Sequence, residues 1–486
     1  MSTPYQRIKL EVARRRTTNG ARPVKKGRRG VALILVLGAL VVLTVFVTEL
    51  QERTSSTLSA SLAERDTLRA EYNAKSAINL SRLLIATEPV VRKAIDPLYR
   101  VAMKSPAPQI PVWKFTSLVL GPFNDSDGAQ DFARVTQTGS TEGKNLGLFG
   151  GHFEIKIIDE DSKINLNSVV NGDPVSRERL GAQLLGLFGG AHYNDLFEGP
   201  DLDGQNSNQP VICGALVDWA DYDEAGYPCD PAAAARSRSA PSEQPEDNYY
   251  QSVGLPYQRK NAAFDSLDEI RLVRGVGDGF WSNFVDPDPN DPDQRVLTVW
   301  GQGAKINVNT ANAQTLLALV CSGAPEAPLC VDPEQMSIFL TAVTLARQIS
   351  GGAPLFKSAK AFTRAMRGKG KGVGPVFTAL GLQPVEFSDV KRVEKAISVE
   401  SRVFSIYVDG VIPGRNRETR VRIHDVVDFR SANELGGDPA ATSKSGSTTS
   451  EDEEAADSTT QELTPEQLAA AMASDPMGVI VYHRIE

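Results

Sequence analysis

Histidine and cysteine are scarce, with four of each in 486 residues. No CxxC pair and no HExxH string occurs, which excludes a zinc ribbon, an iron–sulfur protein and a zincin. A GxSxG nucleophile elbow, a Walker A loop and a GxGxxG dinucleotide turn are also missing. Gly368-Lys369-Gly370-Lys371-Gly372 is basic and glycine-rich but lacks the phosphate-loop frame, so it reads as a flexible loop. His152, His192, His424 and His483 are isolated from any nucleophile motif. No catalytic constellation emerges, and the chain is expected not to be an enzyme. Two further absences are local. Residues 31–48 contain no charge, and residues 49–88 contain neither proline nor glycine.

What is present is a sharp partition of charge. The chain carries 52 Lys+Arg against 60 Asp+Glu, a net charge of −8. Its first thirty residues hold ten bases and one acid, Glu11, which leaves −17 for residues 31–486. The basic block ends in Lys25-Lys26-Gly27-Arg28-Arg29-Gly30, and the charge-free run follows at once. At ~1.5 Å per residue that run makes about 27 Å of helix, enough for the hydrocarbon core of a bilayer. Positive charge before it and an acidic chain after it place the N-terminus inside and the bulk outside. A cleaved secretory signal has a shorter apolar run and a small-x-small site, which Val47-Thr48-Glu49-Leu50-Gln51-Glu52 does not supply. A plain signal anchor also fits this segment taken alone. Beyond it, Leu58, Leu62, Leu68, Tyr72, Leu80 and Leu84 fall near one-face helical spacing. Span and stalk are expected to form one helix over 31–88, roughly 85 Å long, stopped by Pro89.

A basic leader, a junction glycine and an apolar helix start resemble the prepilin-type (class III) signal of type IV pilins and pseudopilins. The resemblance implies cleavage between Gly30 and Val31 by prepilin peptidase and methylation of Val31. Most members of that family have Glu at the fifth mature position, where this sequence has Leu35. A carboxylate in the apolar helix bundle needs a neighbour's terminal amine. A subunit with nothing above it has none, so an apolar fifth residue suits the filament tip. Further strings follow in order: Phe153-Glu-Ile-Lys-Ile-Ile-Asp-Glu-Asp-Ser-Lys-Ile-Asn-Leu-Asn, then Leu216-Val-Asp-Trp-Ala-Asp-Tyr-Asp, then Glu246-Asp-Asn-Tyr-Tyr, then Ser266-Leu-Asp-Glu-Ile-Arg-Leu-Val-Arg-Gly-Val, then Lys305-Ile-Asn-Val-Asn-Thr. Each alone reads as a capped turn. Together they are similar to the K-type minor pseudopilins of type II secretion systems over most of residues 28–430.

The resemblance implies an α+β fold: a pilin-like long N-terminal helix packed on an antiparallel sheet, with a large, mostly helical insert of two SAM-like units. Mapped onto the chain, this gives a cleaved cytoplasmic leader (1–30), a transmembrane and stalk helix (31–88), the first part of the β domain (89–170) and the helical insert (171–390). Return strands (391–430), an acidic disordered loop (431–475) and a C-terminal strand (476–486) complete it. The sheet is expected to use residues around 110–170 and to return at 402–407 and 420–429. Both return segments alternate apolar and polar residues. Within the insert, Asn309 or Thr310 is expected to cap the apolar helix that begins at Ala313. Residues 431–475 hold ten acids, one Lys and no aromatic residue, a composition that predicts disorder.

Function follows from the same resemblance: a tip-complex subunit that initiates or caps the periplasmic pseudopilus for export across the outer membrane. It would be a single-pass inner-membrane protein with a cytoplasmic N-terminus. Its implied partners are the minor pseudopilins I and J, with H and the major pseudopilin, and no nucleic acid. The cysteines form sequence-local pairs, Cys213 with Cys229 and Cys321 with Cys330, which fits two disulfides in an oxidising periplasm; four reduced buried thiols are the alternative. Asp218, Asp221 and Asp223 crowd six residues, in a spacing unlike an EF-hand. The residues alone suit a solvated acidic face. The resemblance implies calcium at Asp221, Asp223, Glu246 and Asp247, with Asp218 structural beside Trp219. Two other readings stay open, a type IV pilus minor pilin and a membrane-anchored DNA-binding protein. The latter draws on Leu272-Val273-Arg274-Gly275-Val276, which resembles a helix-hairpin-helix turn, although the acidic chain opposes phosphate binding.

Overall fold

The computed structural model describes residues 29–124, 126–136, 150–200, 204, 207–229, 248–301, 303–370, 372–414, 417–433, 435 and 475–485. Most of the leader and nearly all of the acidic tract expected to be disordered lie outside the described residues. The chain divides into two compact units, Met1–Arg65 and Asp66–Glu486. In the first, helix α1 (Arg29–Ala86) begins as the basic block ends, and its residues from Val31 onward are exposed. This segment is long and apolar enough to cross a membrane.

In the second unit the last turns of α1 carry Ala70, Ala74, Ala77 and Ser81 on one face, all fully buried. Small residues at that spacing let a helix backbone approach a sheet closely. Eight strands are described: β1 (His152–Asp159), four two-residue bridges β2 (Ile164–Asn165), β3 (Leu297–Thr298), β4 (Ile306–Asn307) and β5 (Ile397–Ser398), then β6 (Val403–Ile412), β7 (Thr419–Asp428) and β8 (Val479–Ile485). The main sheet is antiparallel in the order β1-β6-β7-β8. Its α1 face follows the two-residue period of a strand. Phe153 and Ile157, then Phe404, Ile406 and Val408, then Val421, Ile423 and Val427 join Ala70, Ala74 and Ala77 in one core. Gly410 continues the β6 row, and a Cβ there would lie 1.9 Å from the Ala70 carbonyl oxygen. Edge strand β8 is held at its start by Arg82 of α1, which donates to the carbonyls of Met477 (2.9 Å) and Gly478 (2.7 Å).

The α+β class is as expected, a long N-terminal helix with an antiparallel sheet and a helical insert. Three local expectations are corrected. Pro89 does not end the helical region: α1 ends at Ala86 and α2 (Glu88–Met103) follows, with Pro89 in a first turn that needs no N–H from it. Residues 112–124 and 126–136 are helical, not part of the sheet. They form a 3₁₀ turn (Val112–Phe115), α3 (Thr116–Asn124) and α4 (Ser126–Thr136). Trp113, Thr116 and Leu120 are buried at intervals of three and four, a helical period that outweighs the local β-propensity. The helix Ala313–Gly323 is capped by Asn312, whose Oδ1 accepts from Thr315 N at 2.7 Å. Asn309 and Thr310 are committed elsewhere.

Those commitments organise the insert, which begins with α5 (Pro174–Phe188) and α6 (Gln209–Ala220). The two Ile-Asn-x-Asn strings fold alike. In the first, β2 pairs parallel with β3, Asn165 Oδ1 accepts from Asn167 N (2.9 Å), and Asn167 grips the backbone N–H and C=O of Phe264 at 2.7 and 2.9 Å. In the second, β4 pairs parallel with β5, Asn307 Oδ1 accepts from Asn309 N (3.0 Å), and Asn309 grips Phe356 at 2.8 and 2.9 Å. The gripped residues open similar strings, Phe264-Asp-Ser and Phe356-Lys-Ser. The closing bridges are flanked alike, Val296-Leu-Thr-Val and Ala396-Ile-Ser-Val. The first helices of the two halves meet where Gly186 of α5 lies against the Ala318 carbonyl; a Cβ there would come within 2.2 Å of that oxygen.

A polar corner joins this insert to the sheet at the end of β1. Asp159 accepts from Thr310 Oγ1 at 2.5 Å and from Ser401 Oγ, while its Oδ1 receives Asp161 N at 2.9 Å. Asp161 accepts from the N–H groups of Arg402 (2.6 Å) and Val403 (3.1 Å), where β6 begins. Glu160 pairs with buried Lys163 at 3.0 Å and accepts from Thr298 Oγ1 at 2.6 Å.

Gly410→Val should therefore push α1 off the sheet, because the atom it strikes is main chain. Overpacking of this kind costs about 1–3 kcal/mol. Urea unfolding of the detergent-solubilised chain, followed by tryptophan fluorescence, should show the midpoint falling accordingly; an unchanged midpoint would contradict the close approach.

Candidate functional site

The acidic cluster sits where α6 ends. Asp218 lies in its last turn, and Asp221 takes the C-cap with its N–H on the Val217 carbonyl at 3.1 Å. The loop that follows returns across α5 and α6 as far as Cys229. It fits because glycines line its path: a Cβ at Gly214 would come within 2.5 Å of the Tyr227 carbonyl, and one at Gly181 within 2.8 Å of the Tyr227 ring. Cys229 bonds to Cys213 of α6, with Cα atoms 5.9 Å apart. The second disulfide, Cys321–Cys330 (Cα atoms 5.7 Å apart), ties the helix Ala313–Gly323 to the short helix Pro328–Val331. Each closes a short loop, a constraint worth about 2–4 kcal/mol.

The three carboxylates have different roles. Asp218 Oδ1 accepts from Tyr227 N at 2.8 Å and so fixes the loop; burial pushes its pKa up to about 8. Asp221 is fully buried. Its Oδ2 lies 3.4 Å from Arg177 Nη1, and its Oδ1 is buried with no hydrogen-bond partner. Burial first, and the negative charge of Asp223 second, push its pKa up to about 6. Asp223 binds the same Arg177 nitrogen and accepts from Ala225 N at 3.0 Å. Arg177 of α5 is thus the counter-charge bonded to the cluster, and the Arg259 guanidinium adds its positive field. Nothing in the sequence pointed to Arg177, since it precedes Asp221 by forty-four residues and belongs to no motif.

Glu246 and Asp247, the other two expected calcium ligands, lie outside the described residues. The helix after them, Asn248–Ser252, places Tyr250 against Trp219 with ring centroids 6.0 Å apart. Among the described residues no group of three His, Cys, Asp or Glu side chains converges as a metal cage. Asp221 Oδ1 is a buried carboxylate oxygen left without a donor, the kind of atom a hard cation takes.

The other sequence-derived sites fall elsewhere. Gly30 and Val31 are both in the first turn of α1, and Leu35 is 68% exposed, on a surface that carries no charge until Glu49. The hairpin 272–277 follows a 3₁₀ turn (Leu267–Leu272) rather than a full helix, and Gly275 takes φ +76° at its bend. The arginines here lie over aromatic rings, Arg271 of the preceding turn at 3.8 Å from the Trp281 centroid and Arg274 of the hairpin at 4.4 Å from that of Tyr249.

No protein-family model matches this chain. No curated protein matches it either. Among solved structures the chain is distantly similar to one in the crystal structure of the GspK-GspI-GspJ complex from the type 2 secretion system of enterotoxigenic Escherichia coli. Identity is 15%, 77% of this chain and 94% of that chain are covered, and the TM-score is 0.39.

Removing the counter-charge tests the cluster directly. Arg177→Met should leave Asp221 and Asp223 repelling each other in metal-free buffer. The pair is partly solvated, so the loss should be about 1–3 kcal/mol in urea unfolding, below the cost of breaking a fully buried pair. A stability equal to that of the parent chain would show that Arg177 does not hold the cluster.

Proposed function

We propose that the chain is a K-type minor pseudopilin of a type II secretion system. The observation that carries this reading is continuity: a basic leader ends in Gly30, an exposed apolar helix starts there, and the same helix ends on an antiparallel sheet through a face of small residues. In this reading prepilin peptidase cuts between Gly30 and Val31, Val31 is methylated, and the helix stays in the inner membrane until assembly. The body then lies in the periplasm, which suits a chain with two disulfides.

Leu35 supports a place at the filament tip. A Glu at the fifth mature position would need the terminal amine of the next subunit; a subunit with nothing above it gains by an apolar residue there. Initiating or capping the pseudopilus, together with the I and J subunits, is a structural role that requires no catalytic group. Gly30→Leu should block processing. Intact mass and N-terminal sequencing of the membrane-extracted protein are expected to show a start at Val31 for the parent chain and a retained leader for the variant. The same mature mass for both would overturn the assignment.

We further propose that Asp221, Asp223, Glu246 and Asp247 hold a calcium ion. The buried, unpartnered Oδ1 of Asp221 supports this, since a bound cation would satisfy it. A ligand that binds only the folded state raises its melting temperature. Calcium added to EDTA-treated protein should therefore raise Tm, and Asp221→Asn should abolish the rise. A Tm indifferent to calcium would remove the proposal and leave the pseudopilin reading standing.

A further inference from the structure

A small polar cavity of about 50 Å³ lies between residues 109–114 and the C-terminal end of the helix Pro333–Ser350. Five neutral polar side chains line it, and each is already committed within the protein. Gln109 donates to the Ser401 carbonyl at 2.9 Å and accepts from Ser401 N at 2.7 Å. Asn307 donates to Ser401 Oγ at 2.7 Å and accepts from Asn309 N, while Asn309 grips Phe356. Thr310 donates to Asp159, and Ser350 to the Arg347 carbonyl at 2.9 Å.

Two cations also line the cavity, one from each side. Arg347, in the last turn of its helix, makes one long hydrogen bond, from Nη2 to the Val308 carbonyl at 3.4 Å, and its Nε is buried without a partner. Burial pulls its guanidinium pKa down to about 10. Lys114 is held below the usual lysine range by burial first and by the positive charge of Arg347 second. Asp293 and Asp159 act on it only through space. Among the described residues neither cation forms an ion pair. Like charges brought together beside neutral side chains that already have partners of their own leave one deficit, negative charge.

We propose that this cavity binds a single small oxyanion between Arg347 and Lys114. A guanidinium presents a fork of donors that matches carboxylate or phosphate oxygens, and an ammonium adds a point charge beside it. A cavity of this size has room for a few waters or for one such ion. Lys114 follows Trp113, which packs on Phe404 of the sheet core with centroids 4.6 Å apart, whereas Arg347 belongs to the insert. A bound oxyanion would therefore brace the sheet against the insert. The inference does not depend on the secretion reading.

The probe is inorganic phosphate, titrated into the full-length, detergent-solubilised protein at constant ionic strength with chloride as the balancing ion. A saturable rise in Tm with broadening of the ³¹P signal is expected. Lys114→Gln and Arg347→Gln should each weaken the apparent affinity about ten- to a hundredfold, the loss of one charge-assisted hydrogen bond. No saturable response in the parent chain, or equal affinity in both variants, would overturn the proposal. Acetate in place of phosphate separates the sources of the oxyanion. Competition by acetate supports a carboxylate receptor that takes an acidic side chain of a partner, and its failure supports a site for a free tetrahedral anion.

Discussion

Burying three carboxylates beside one lysine costs several kcal/mol per ion unless every lone pair finds a donor. The corner at residues 159–163 draws its donors from three separate stretches of chain: Thr298, Thr310, and Ser401 with the start of β6. The outcome is a joint more than a source of stability. Burial raises both Asp159 and Asp161 above the usual carboxylate range, so their hydrogen bonds do not fully repay the loss of water. Glu160 is held below its usual value, because Lys163 and the hydroxyl donors outweigh the burial that works against them. Such a network tolerates one arrangement of sheet and insert and penalises the others, the best-attested use of buried charge.

The two asparagine clamps extend that logic into the insert. In each half the first Asn shapes the turn and the second fixes a phenylalanine main chain almost one hundred or almost fifty residues away. The same chemistry thus spans two loop lengths, which is affordable because closure entropy grows only slowly with length. The long intervening segments are free to diverge: one carries the acidic cluster and Cys213–Cys229, the other Cys321–Cys330 and the cationic cavity.

How much of this was legible in the sequence depended on whether the interaction was local. The apolar start of α1, the alternation of β6 and β7 and the repeat of Ile-Asn-x-Asn are local patterns, and the architecture they imply is the one observed. The helices at 112–136 were misread because that stretch is short and its buried residues, Trp113, Thr116 and Leu120, lie among prolines and glycines that blur the period. By type Asn309 and Thr310 are as good caps as Asn312, two or three residues further on; only their distant partners, Phe356 and Asp159, decide against them. Arg177 and the pair Lys114 with Arg347 left no sequence signal at all. A long-range ion pair, or the lack of one, has no periodicity to read.

That last asymmetry bears on how charge is used across the molecule. The described acids mostly find partners near at hand: Asp221 and Asp223 share Arg177, Asp409 takes Arg420 and Arg422, and Asp286 takes Arg295. In a body of net charge −17 the scarce resource is positive charge, and a fold optimised for stability alone would spend each cation on one of the surplus carboxylates. Two cations that form no ion pair among the described residues, beside neutral side chains with partners of their own, run against that expectation. Departures of this kind concentrate where a structure is built to receive something it does not itself contain. The same reasoning applies with opposite sign to Asp221, whose buried Oδ1 lacks a donor although Arg177 stands beside it. The two exceptions to local neutrality lie apart, one at the end of α6 and the other where residues 109–114 meet the insert, and each leaves a buried polar atom, Asp221 Oδ1 or Arg347 Nε, without a partner.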